Sequence, residues 1–584
     1  MRSKRGVIGG VAVVVLLAVF VCFAYPAMRA GYYPTYAAAT FSSLPAPSDS
    51  GHAAGGLIVR TDAGALQGAY VGSAAVFMGI PYARPPLGEL RWDAPQPAVP
   101  WIGVRDATRP GDACAQDPAG LSPFLTPMAK AYGSSYEQQP VESSEDCLYL
   151  NVWAPGRHAK DALPVMVWLH GGSNKVGSGA QSGYNGSSLT ARGVVLVTIN
   201  YRLGALGFFS HPELTAKSPH HSSGNYGLLD QIAALQWVHN NIAQFGGDPQ
   251  NVTLFGESAG AIDAAMLMTS PLSEGLFRRV ISESGPAFGL AQTLSQAEEF
   301  GKAVSDLAPG DSHATPLERL RALSAAEVEK LVIQAKTHFT GDTSSFTMDG
   351  WVLRQSPQRA FLNGSLQKVD LLIGLNGREL SAFRLAANAP GNPLRNQKGG
   401  IGDSLKRFSE DAHPFWGIWT KPAIALYLGN ILIHRAAGVD QAVNDIAVAC
   451  PIGAMAGLTS NAGQRVFVYR FDRSIPGKGE GELGAFHGLE VPYVFGDLHD
   501  PAWQWLPFTP DDAALSKLIQ SYWVNFARSG DPNAQGLPNW PMWSDDKKEF
   551  LAIRKDGRIA AQRNFPPLFS SLSVADLRKS FKSE

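Results

Sequence analysis

The sequence carries little net charge and few cysteines. Its 584 residues include 49 Lys and Arg against 50 Asp and Glu, a formal net charge of −1, and four Cys. Proteins that bind nucleic acid present clustered basic residues to the phosphates, whereas this chain has no run of like charges and no basic stripe. No pattern in the sequence pairs a cysteine with a histidine. We therefore expect neither a nucleic-acid partner nor a cysteine nucleophile.

The short motifs that hold metals and phosphates are also missing. The chain has no H-E-x-x-H, no paired C-x-x-C and no glycine loop of the phosphate-binding type. We therefore expect no metal and no cofactor. Hydrophobic residues make up 45% of the chain and charged residues 17%, which is the composition of a globular protein with ample core.

The N-terminal segment is typical of a targeting sequence. Arg2, Lys4 and Arg5 precede an apolar run at residues 7–24, which is longer than most signal-peptide cores and about as short as a membrane span can be. Residues 1–30 are therefore predicted to be a signal peptide or an N-terminal membrane anchor. We expect an exported protein, periplasmic or extracellular, that is either secreted or tethered to the membrane through residues 7–24.

The rest of the chain is predicted to form one large domain. Residues 31–56 are rich in Ala, Ser, Pro and Gly and read as a flexible linker. Residues 57–566 are predicted to be the folded domain, and residues 567–584 a C-terminal tail. Two helix-rich insertions, near 293–348 and 400–448, are placed where substrate-covering elements occur in α/β proteins.

Several apolar runs end at polar or turn-forming residues, as expected of strands buried on both faces of a sheet. These predicted strands are 165–169, 194–199, 252–255, 280–282, 369–373 and 466–469. Apolar residues in 228–245 recur at close to the helical period, which predicts an amphipathic helix. The alternation of strands and helices predicts an α/β fold with a mostly parallel central sheet and helices on both faces.

The motif that carries chemistry is Gly256-Glu257-Ser258-Ala259-Gly260. It follows the predicted strand 252–255 and precedes a helix-forming segment, which is the context in which a serine is held on a sharp turn with its Oγ exposed. Glycines on either side let two backbones pass closely, and the helix N-terminus favours negative charge nearby. Ser258 is the predicted nucleophile.

A serine hydroxyl needs a base to take its proton and an acid to orient that base. In the α/β-hydrolase order both follow the serine, with the acid first. The candidate bases are His413, His434, His487 and His499. We favour His487, which lies in a glycine-flanked loop after a predicted strand, because active sites favour such loops. Glu379 follows the strand 369–373 and is the candidate acid, with Asp349 and Asp370 as open alternatives.

The oxyanion of an acyl-transfer intermediate needs backbone N–H donors aimed at it. His170-Gly171-Gly172-Ser173 follows the predicted strand 165–169 and is similar to the H-G-G-G loop that does this in lipases and esterases. Ala259, the residue after the predicted nucleophile, supplies a further N–H.

Taken together, these motifs resemble the type-B carboxylesterase family, which has the α/β-hydrolase fold and includes carboxylesterases, cholinesterases and the non-catalytic neuroligins. The similarity covers roughly residues 57–543. The segments that carry it are 145–152, 200–204, 224–231, 245–260 and 523–527.

The resemblance implies a role for each site residue. Ser258 matches the family's nucleophile, Glu379 its orienting acid and His487 its general base. Gly172 and Ser173 match the positions whose N–H groups join that of Ala259 in the oxyanion hole.

Two residues depart from the family pattern. Ser173 stands where the triple-glycine form has glycine, and its Cβ narrows the loop against bulky alcohol groups. Leu380 follows the acid where many relatives carry glycine.

The resemblance also implies a disulfide between Cys114 and Cys147. In cholinesterases a tryptophan inside the corresponding loop binds the quaternary ammonium of choline by cation–π attraction. No tryptophan occurs between Cys114 and Cys147. We therefore do not expect choline esters as substrates.

The predicted function is that of an exported serine carboxylic-ester hydrolase that acts on small-molecule esters through an acyl-enzyme. The alternatives are a non-catalytic cell-surface binding protein on the same fold, and a transacylase in which an alcohol or amine replaces water. A missing triad residue would favour the binding protein, and none of the three is missing.

Overall fold

The computed structural model describes most of the chain after residue 56. The described residues are 57–137, 142–156, 162–288, 290–311, 313–337, 345–387, 441 and 444–565. The predicted targeting segment and linker, most of the insertion near 400–448, and the tail 567–584 lie outside them. Among the helices of the described residues, none has the length and hydropathy needed to cross a bilayer.

An eleven-stranded sheet forms the centre of the fold. In chain order its strands are β1 (Ala69–Val71), β2 (Ala74–Pro81), β3 (Tyr149–Pro155), β4 (Leu163–Leu169), β5 (Val195–Ile199), β6 (Gly247–Glu257), β7 (Arg279–Glu283), β8 (Asp370–Asn376), β9 (Val466–Phe471), β10 (Phe550–Ile553) and β11 (Ile559–Gln562). Across the sheet they are ordered β11-β10-β9-β8-β7-β6-β4-β5-β3-β2-β1.

The centre of this sheet is parallel and its two edges are antiparallel. Neighbouring strands from β5 through β4 and β6 to β10 run in the same direction. At one edge β3, β2 and β1 pair antiparallel, and at the other edge β11 does so with β10. The prediction of a mostly parallel sheet is confirmed.

Continuous apolar runs form the central strands because both faces of the sheet are covered. Along β4, Val165 and Val167 enter one buried cluster, whereas Met166 and Trp168 enter the other. Successive side chains of a strand point to opposite faces, so the two clusters lie on opposite sides of the sheet. This arrangement explains why these strands show no alternation of polar and apolar residues.

Helices surround the sheet. They are α1 (Ser122–Ala131), α2 (Ser187–Thr190), α3 (Gly204–Phe208), α4 (Pro212–Lys217), α5 (Tyr226–Asn241), α6 (Ala259–Thr269), α7 (Leu294–Asp306), α8 (Pro316–Arg321), α9 (Ala325–Ala335), α10 (Pro357–Asn363), α11 (Glu379–Ala387), α12 (Cys450–Asn461), α13 (Glu480–Leu483), α14 (Val491–Phe495) and α15 (Pro510–Ser529). The helix predicted at 228–245 corresponds to α5 and the 3₁₀ turn Ile242–Phe245, and Gly246 in the left-handed region ends it.

The insertion predicted near 293–348 begins and ends at a small parallel ladder. The strand Ala291–Thr293 pairs with Phe346–Met348, and α7, α8 and α9 lie between them in sequence. Each of these helices begins with a capping box in which a Thr or Ser side chain binds the backbone three residues on. A separate three-stranded sheet consists of Ile58–Arg60, Ala65–Gln67 and Val104–Asp106.

The predicted disulfide is present. Cys114 and Cys147 are bonded, and the loop between them contains α1. Both cysteines are buried, and next to the bond Ala113–Cys114 pairs with Ser143–Ser144. Cys450 is a free thiol.

We predict that the double substitution Cys114→Ala/Cys147→Ala lowers the free energy of unfolding by about 3–4 kcal/mol, since the bond closes a loop with a sequence separation of 33 residues. Urea unfolding followed by tryptophan fluorescence measures the change. Cys450→Ala is the control, because it removes a thiol that closes no loop. A loss no larger than that of the control would contradict the prediction.

Candidate active site

The turn between β6 and α6 holds Ser258 in a strained conformation. Its φ of 56° and ψ of −122° lie outside the regions that a residue with a Cβ normally adopts. The Ser258 N–H donates to the carbonyl oxygen of Glu283 at 2.9 Å, which ties the turn to the end of β7. A Cβ at Gly260 would overlap the carbonyl oxygen of Leu169, and one at Gly256 would lie 2.6 Å from the carbonyl carbon of Gly260. The glycines of the motif therefore permit this close approach.

Glu379 and His487 are hydrogen-bonded to each other. Nδ1 of His487 lies 2.6 Å from Oε2 of Glu379. The other carboxylate oxygen of Glu379 accepts from the Asn376 N–H and from Ser284 Oγ, both at 2.6 Å. The Glu379 side chain is buried at the start of α11, three residues after β8 ends, and these donors fix its orientation toward the imidazole.

The competing acids and bases lie elsewhere. The Asp349 carboxylate accepts from the backbone N–H groups of residues 351–353, and Asp370 pairs with Arg465 at 2.6 Å. His499 is exposed in its turn. His413 and His434 lie outside the described residues.

The second ring nitrogen of His487 faces a carboxylate. Nε2 lies 3.1 Å from Oε1 of Glu257, the residue before Ser258. Among the described residues, no hydrogen bond joins Ser258 Oγ to His487. A Cβ at Gly171 would lie 2.8 Å from Oε2 of Glu257, and one at Gly488 would lie 3.4 Å from its Oε1. The Glu257 side chain therefore lies between the loop that contains Gly171 and the loop of His487.

Several buried carboxyl groups set the electrostatics of the site. Burial lowers the pKa of His487, but the charges of Glu257 and Glu379 outweigh it and raise this pKa to about 10. Burial raises the pKa of Glu257 to about 7 and that of Glu283 to about 8. Burial also raises the pKa of Glu490, whose Oε2 accepts from Asn376 Nδ2. Carboxylate charges thus stabilise the imidazolium form of His487, whereas burial opposes the ionisation of Glu257, Glu283 and Glu490.

Sequence reasoning did not assign roles to Glu257, Glu283, Ser284 or Glu490. The sequence indicates only some of their positions. Glu283 and Ser284 follow the predicted strand 280–282, and in the sheet that strand pairs with β6, which leads into Ser258. Glu490 comes three residues after His487. Polar residues at the carboxyl ends of adjacent parallel strands are the available signal.

Two phenylalanines flank the imidazole. Phe383 on α11 lies with its ring centroid 5.0 Å from that of His487, and Phe124 on α1 lies 5.0 Å from Phe383. Both side chains are half-buried. Because α1 lies within the loop closed by Cys114 and Cys147, that loop contributes an apolar wall to the site.

The predicted oxyanion loop, defined as residues 170–174 and called the oxyanion loop below, follows β4 and lies beside the turn of Ser258, the predicted nucleophile. Gly172, Ser173 and Asn174 all have positive φ, at 105°, 58° and 55°. A Cβ at Gly172 would overlap the carbonyl oxygen of Val176, so this position requires glycine. Ala259 begins α6, and its N–H belongs to the first turn, where helical N–H groups have no intrahelical partner.

His170 anchors the start of the oxyanion loop. Its ring stacks on Tyr201 with centroids 4.5 Å apart, and its Nδ1 lies 2.8 Å from the carbonyl oxygen of Gly171. Burial lowers the pKa of His170 to about 4, so the ring is neutral at pH 7. Within the part of the chain that the structure describes, no group of three or more His, Cys, Asp or Glu side chains could hold a metal ion.

We predict that Glu257→Gln lowers the pKa of His487 by about 1 to 3 pH units, because it removes the charge with the largest effect among the three carboxylates, Glu257, Glu379 and Glu490, that stabilise the imidazolium. NMR titration of the histidine ring protons measures the midpoint, with His487→Gln identifying the resonance. Glu274→Gln, which neutralises an exposed carboxylate, is the control. An unchanged midpoint in Glu257→Gln would show that residue 257 carries no charge beside the ring.

Comparison with known proteins places these features in a family. The model of the carboxylesterase family matches residues 56–566. The fumonisin B1 esterase of Sphingopyxis macrogoltabida is 36% identical over 497 residues, which cover 83% of this chain and 84% of that protein. Carboxylesterase 1C of Mus musculus is 34% identical, with 85% of this chain and 89% of that protein covered.

Solved structures agree with these relatives. A PNB esterase is 32% identical and superposes with a TM-score of 0.72, covering 90% of this chain and 99% of that one. A carboxylesterase of Geobacillus stearothermophilus is 31% identical, with a TM-score of 0.70 and coverage of 87% and 97%. The chain belongs to the carboxylesterase family, has the α/β-hydrolase fold and is a carboxylic ester hydrolase.

Proposed function

We propose that the protein is an exported serine esterase in which Ser258 is the nucleophile, His487 the general base and Glu379 the orienting acid. The observation that carries this proposal is the 2.6 Å hydrogen bond between His487 Nδ1 and Glu379 Oε2, in a site that also contains the strained turn of Ser258. A carboxylate on Nδ1 leaves Nε2 to exchange the proton of the serine.

In the proposed reaction, Nε2 of His487 takes the Ser258 proton as Oγ attacks the ester carbonyl carbon. The carbonyl oxygen becomes an oxyanion, held by the N–H groups of Gly172, Ser173 and Ala259. The imidazolium then gives its proton to the departing alcohol, which leaves an acyl-enzyme. Water, activated by the same nitrogen, repeats the steps and releases the carboxylic acid.

In the structure, Oε1 of Glu257 lies 3.1 Å from Nε2 of His487. The first step of the reaction requires Ser258 Oγ to take the place of that oxygen beside Nε2. Catalytic hydrogen bonds are often long in structures without substrate and tighten when substrate binds. The raised pKa of Glu257, about 7, lets this group take up a proton near neutral pH, which removes its charge from beside Nε2 and favours the neutral imidazole that a general base requires. Glu257 thus tunes the base without entering the covalent steps.

The substrate class follows from the walls of the site. Phe124 and Phe383 present apolar surface beside His487, which suits uncharged esters with an apolar acyl or alcohol part. We propose that the enzyme works in the periplasm or outside the cell, secreted or tethered through residues 7–24. That location is compatible with the bond between Cys114 and Cys147.

We predict that Ser258→Ala abolishes hydrolysis of p-nitrophenyl esters, with kcat lowered on the order of 10⁶-fold, because the acyl-enzyme cannot form. Initial rates on acetyl, butyryl, octanoyl and palmitoyl esters measure activity and report the acyl length that the site accepts best. The preparation is the protein without its first 30 residues, and fluorophosphonate labelling gives the active fraction.

Three outcomes separate the candidate functions. Folded wild-type protein that neither hydrolyses any ester nor reacts with fluorophosphonate would overturn the esterase and favour the binding protein. Ester products formed with added alcohols at the expense of the free acid would establish transacylation. Hydrolysis that survives Ser258→Ala would assign the nucleophile to another residue.

We predict that Ser173→Gly raises the rate for esters of tertiary alcohols relative to esters of primary alcohols. Ser173 has a φ of 58°, which glycine adopts without strain, and removal of its Cβ widens the oxyanion loop. The ratio of rates on tert-butyl and n-butyl acetate measures the effect. Ser187→Gly, at the start of a helix on another segment, is the control. An unchanged ratio would show that residue 173 does not limit the alcohol part.

A further inference from the structure

The oxyanion loop needs an outside constraint to keep its shape. Gly172, Ser173 and Asn174 are three successive residues with positive φ, and two of them carry a Cβ. Such conformations persist only where surrounding structure holds them. Backbone hydrogen bonds do part of this work: Lys175 N–H donates to Gly172 O at 3.0 Å, and Gly204 N–H donates to Asn174 O at 2.6 Å.

A side-chain hydrogen bond connects the end of this loop to the nucleophile helix. Nδ2 of Asn174 donates to Oδ1 of Asp263 at 3.0 Å. Asp263 lies on α6, one turn after Ala259, and is fully buried. Its other oxygen accepts from Nε2 of Gln231 on α5 at 2.5 Å. The carboxylate therefore receives a donor on each oxygen.

The start of the loop is held in a different way. Tyr201 donates its hydroxyl proton to the carbonyl oxygen of His170 at 2.6 Å, and its ring stacks on His170. Thus His170 is fixed to the segment after β5, whereas the shorter bond of Asn174 is to α6; the Tyr201 hydroxyl also lies 3.3 Å from Asn174 Oδ1. The N–H groups of Gly172 and Ser173 lie between these two anchors.

The burial of Asp263 in α6 is energetically unfavourable for the ionised carboxylate. Burial raises the pKa of Asp263 to about 7, and the hydrogen bonds from Asn174 and Gln231 oppose that rise. Burying a carboxylate costs free energy unless hydrogen bonds compensate for the lost water. Asp263 also takes no part in the proton transfers proposed for Ser258. Its place in the fold therefore points to a geometric role.

We propose that Asp263 is a positioning residue for the oxyanion hole, acting through Asn174. The three proposed donors come from two segments, the oxyanion loop and the start of α6, and they must converge on one oxygen atom. The Asn174–Asp263 bond joins those segments directly. This inference rests on the proposed function, since the oxyanion forms only if Ser258 attacks an ester.

The prediction concerns Asp263→Asn, which leaves one oxygen to face two N–H donors and so breaks one hydrogen bond. We expect kcat on p-nitrophenyl butyrate to fall about 10²-fold with KM nearly unchanged, because a small misplacement of the donors weakens binding of the transition state alone. Affinity for a trifluoromethyl ketone, whose adduct with Ser258 carries an oxyanion, is expected to fall by a similar factor.

Exchanging the two side chains between positions 174 and 263 is expected to restore the hydrogen bond and with it the activity. In Asn174→Asp/Asp263→Asn, the amide introduced at 263 donates to the carboxylate introduced at 174 and still accepts from Gln231. We expect kcat to return to within about tenfold of wild type, the spread typical of a displaced but intact contact. Asn174→Asp alone places two carboxyls face to face and is expected to lose kcat. A double variant no better than the single ones would overturn the inference.

Asn174→Gly tests the side chain separately from the backbone. Glycine adopts the left-handed conformation at 174 without strain, so the side-chain contacts are lost without a change of backbone: the 3.0 Å bond to Asp263 and the longer 3.3 Å contact from the Tyr201 hydroxyl to Asn174 Oδ1. We expect the same loss of kcat and of trifluoromethyl ketone affinity. Unchanged values in this variant would overturn the inference even if Asp263→Asn failed to fold.

A stability control completes the design. Met268→Ala removes a buried side chain near the other end of α6, so it lowers the melting temperature without touching the loop. Fluorophosphonate titration corrects every kcat for the active fraction. If Asp263→Asn behaves like Met268→Ala, with a lower melting temperature and an unchanged kcat per active site, Asp263 is only structural. Wild-type protein without esterase activity would instead overturn the proposed function.

Discussion

The close approach of α6 to the end of β4 is the constraint on which the site depends. A Cβ at Gly260 would overlap Leu169 O, so the absence of a side chain there sets how near the nucleophile turn comes to the oxyanion loop. The strained Ser258 and the loop that begins at His170 both follow from that distance. Parallel neighbours β4 and β6 end at the same edge of the sheet, which brings their two following segments together.

The two carboxyl groups that contact His487 have different surroundings: Glu379 accepts hydrogen bonds from nearby donors, whereas burial governs the pKa of Glu257. Glu379 receives donors from Asn376 and Ser284 on the oxygen that does not face His487. Burial and, to a smaller extent, the charge of Glu379 raise the pKa of Glu257, and the charge of the His487 imidazolium opposes that rise. Two carboxyls near one ring therefore differ in their surroundings: Glu379 receives hydrogen-bond donors, whereas Glu257 is buried with a pKa raised to about 7.

Much of the fold could be predicted because the apolar runs are long and uninterrupted. Strands such as 165–169 and 194–199 are buried on both faces, so their composition alone marks them. The helix at 228–245 was predicted at the right place but ends in a 3₁₀ turn, which the helical period does not distinguish. The disulfide between Cys114 and Cys147 is implied by the family resemblance, because the spacing of the cysteines does not determine which of them pair.

Some residues of the site can be predicted from local sequence motifs, whereas others depend on contacts between distant segments. Ser258 has a local motif, whereas the choice of Glu379 over Asp349 and Asp370 depends on which carboxyl reaches the imidazole. The contact between Glu257 and Nε2 depends on how the loop of His487 packs over the nucleophile turn. Asn174 and Asp263 are 89 residues apart in sequence, and no sequence motif predicts that they form a hydrogen bond. Contacts between distant segments need the three-dimensional structure.

The loop closed by Cys114 and Cys147 carries part of the apolar wall of the site on a segment outside the central sheet. Phe124 reaches the site from α1 inside that loop, whereas Ser258, Glu379 and His487 belong to segments attached to the central sheet. A covalent bond closes this loop at its base, and Phe124 lies inside it on α1. A substitution at Phe124 can therefore reshape the apolar wall without changing a residue of the central sheet.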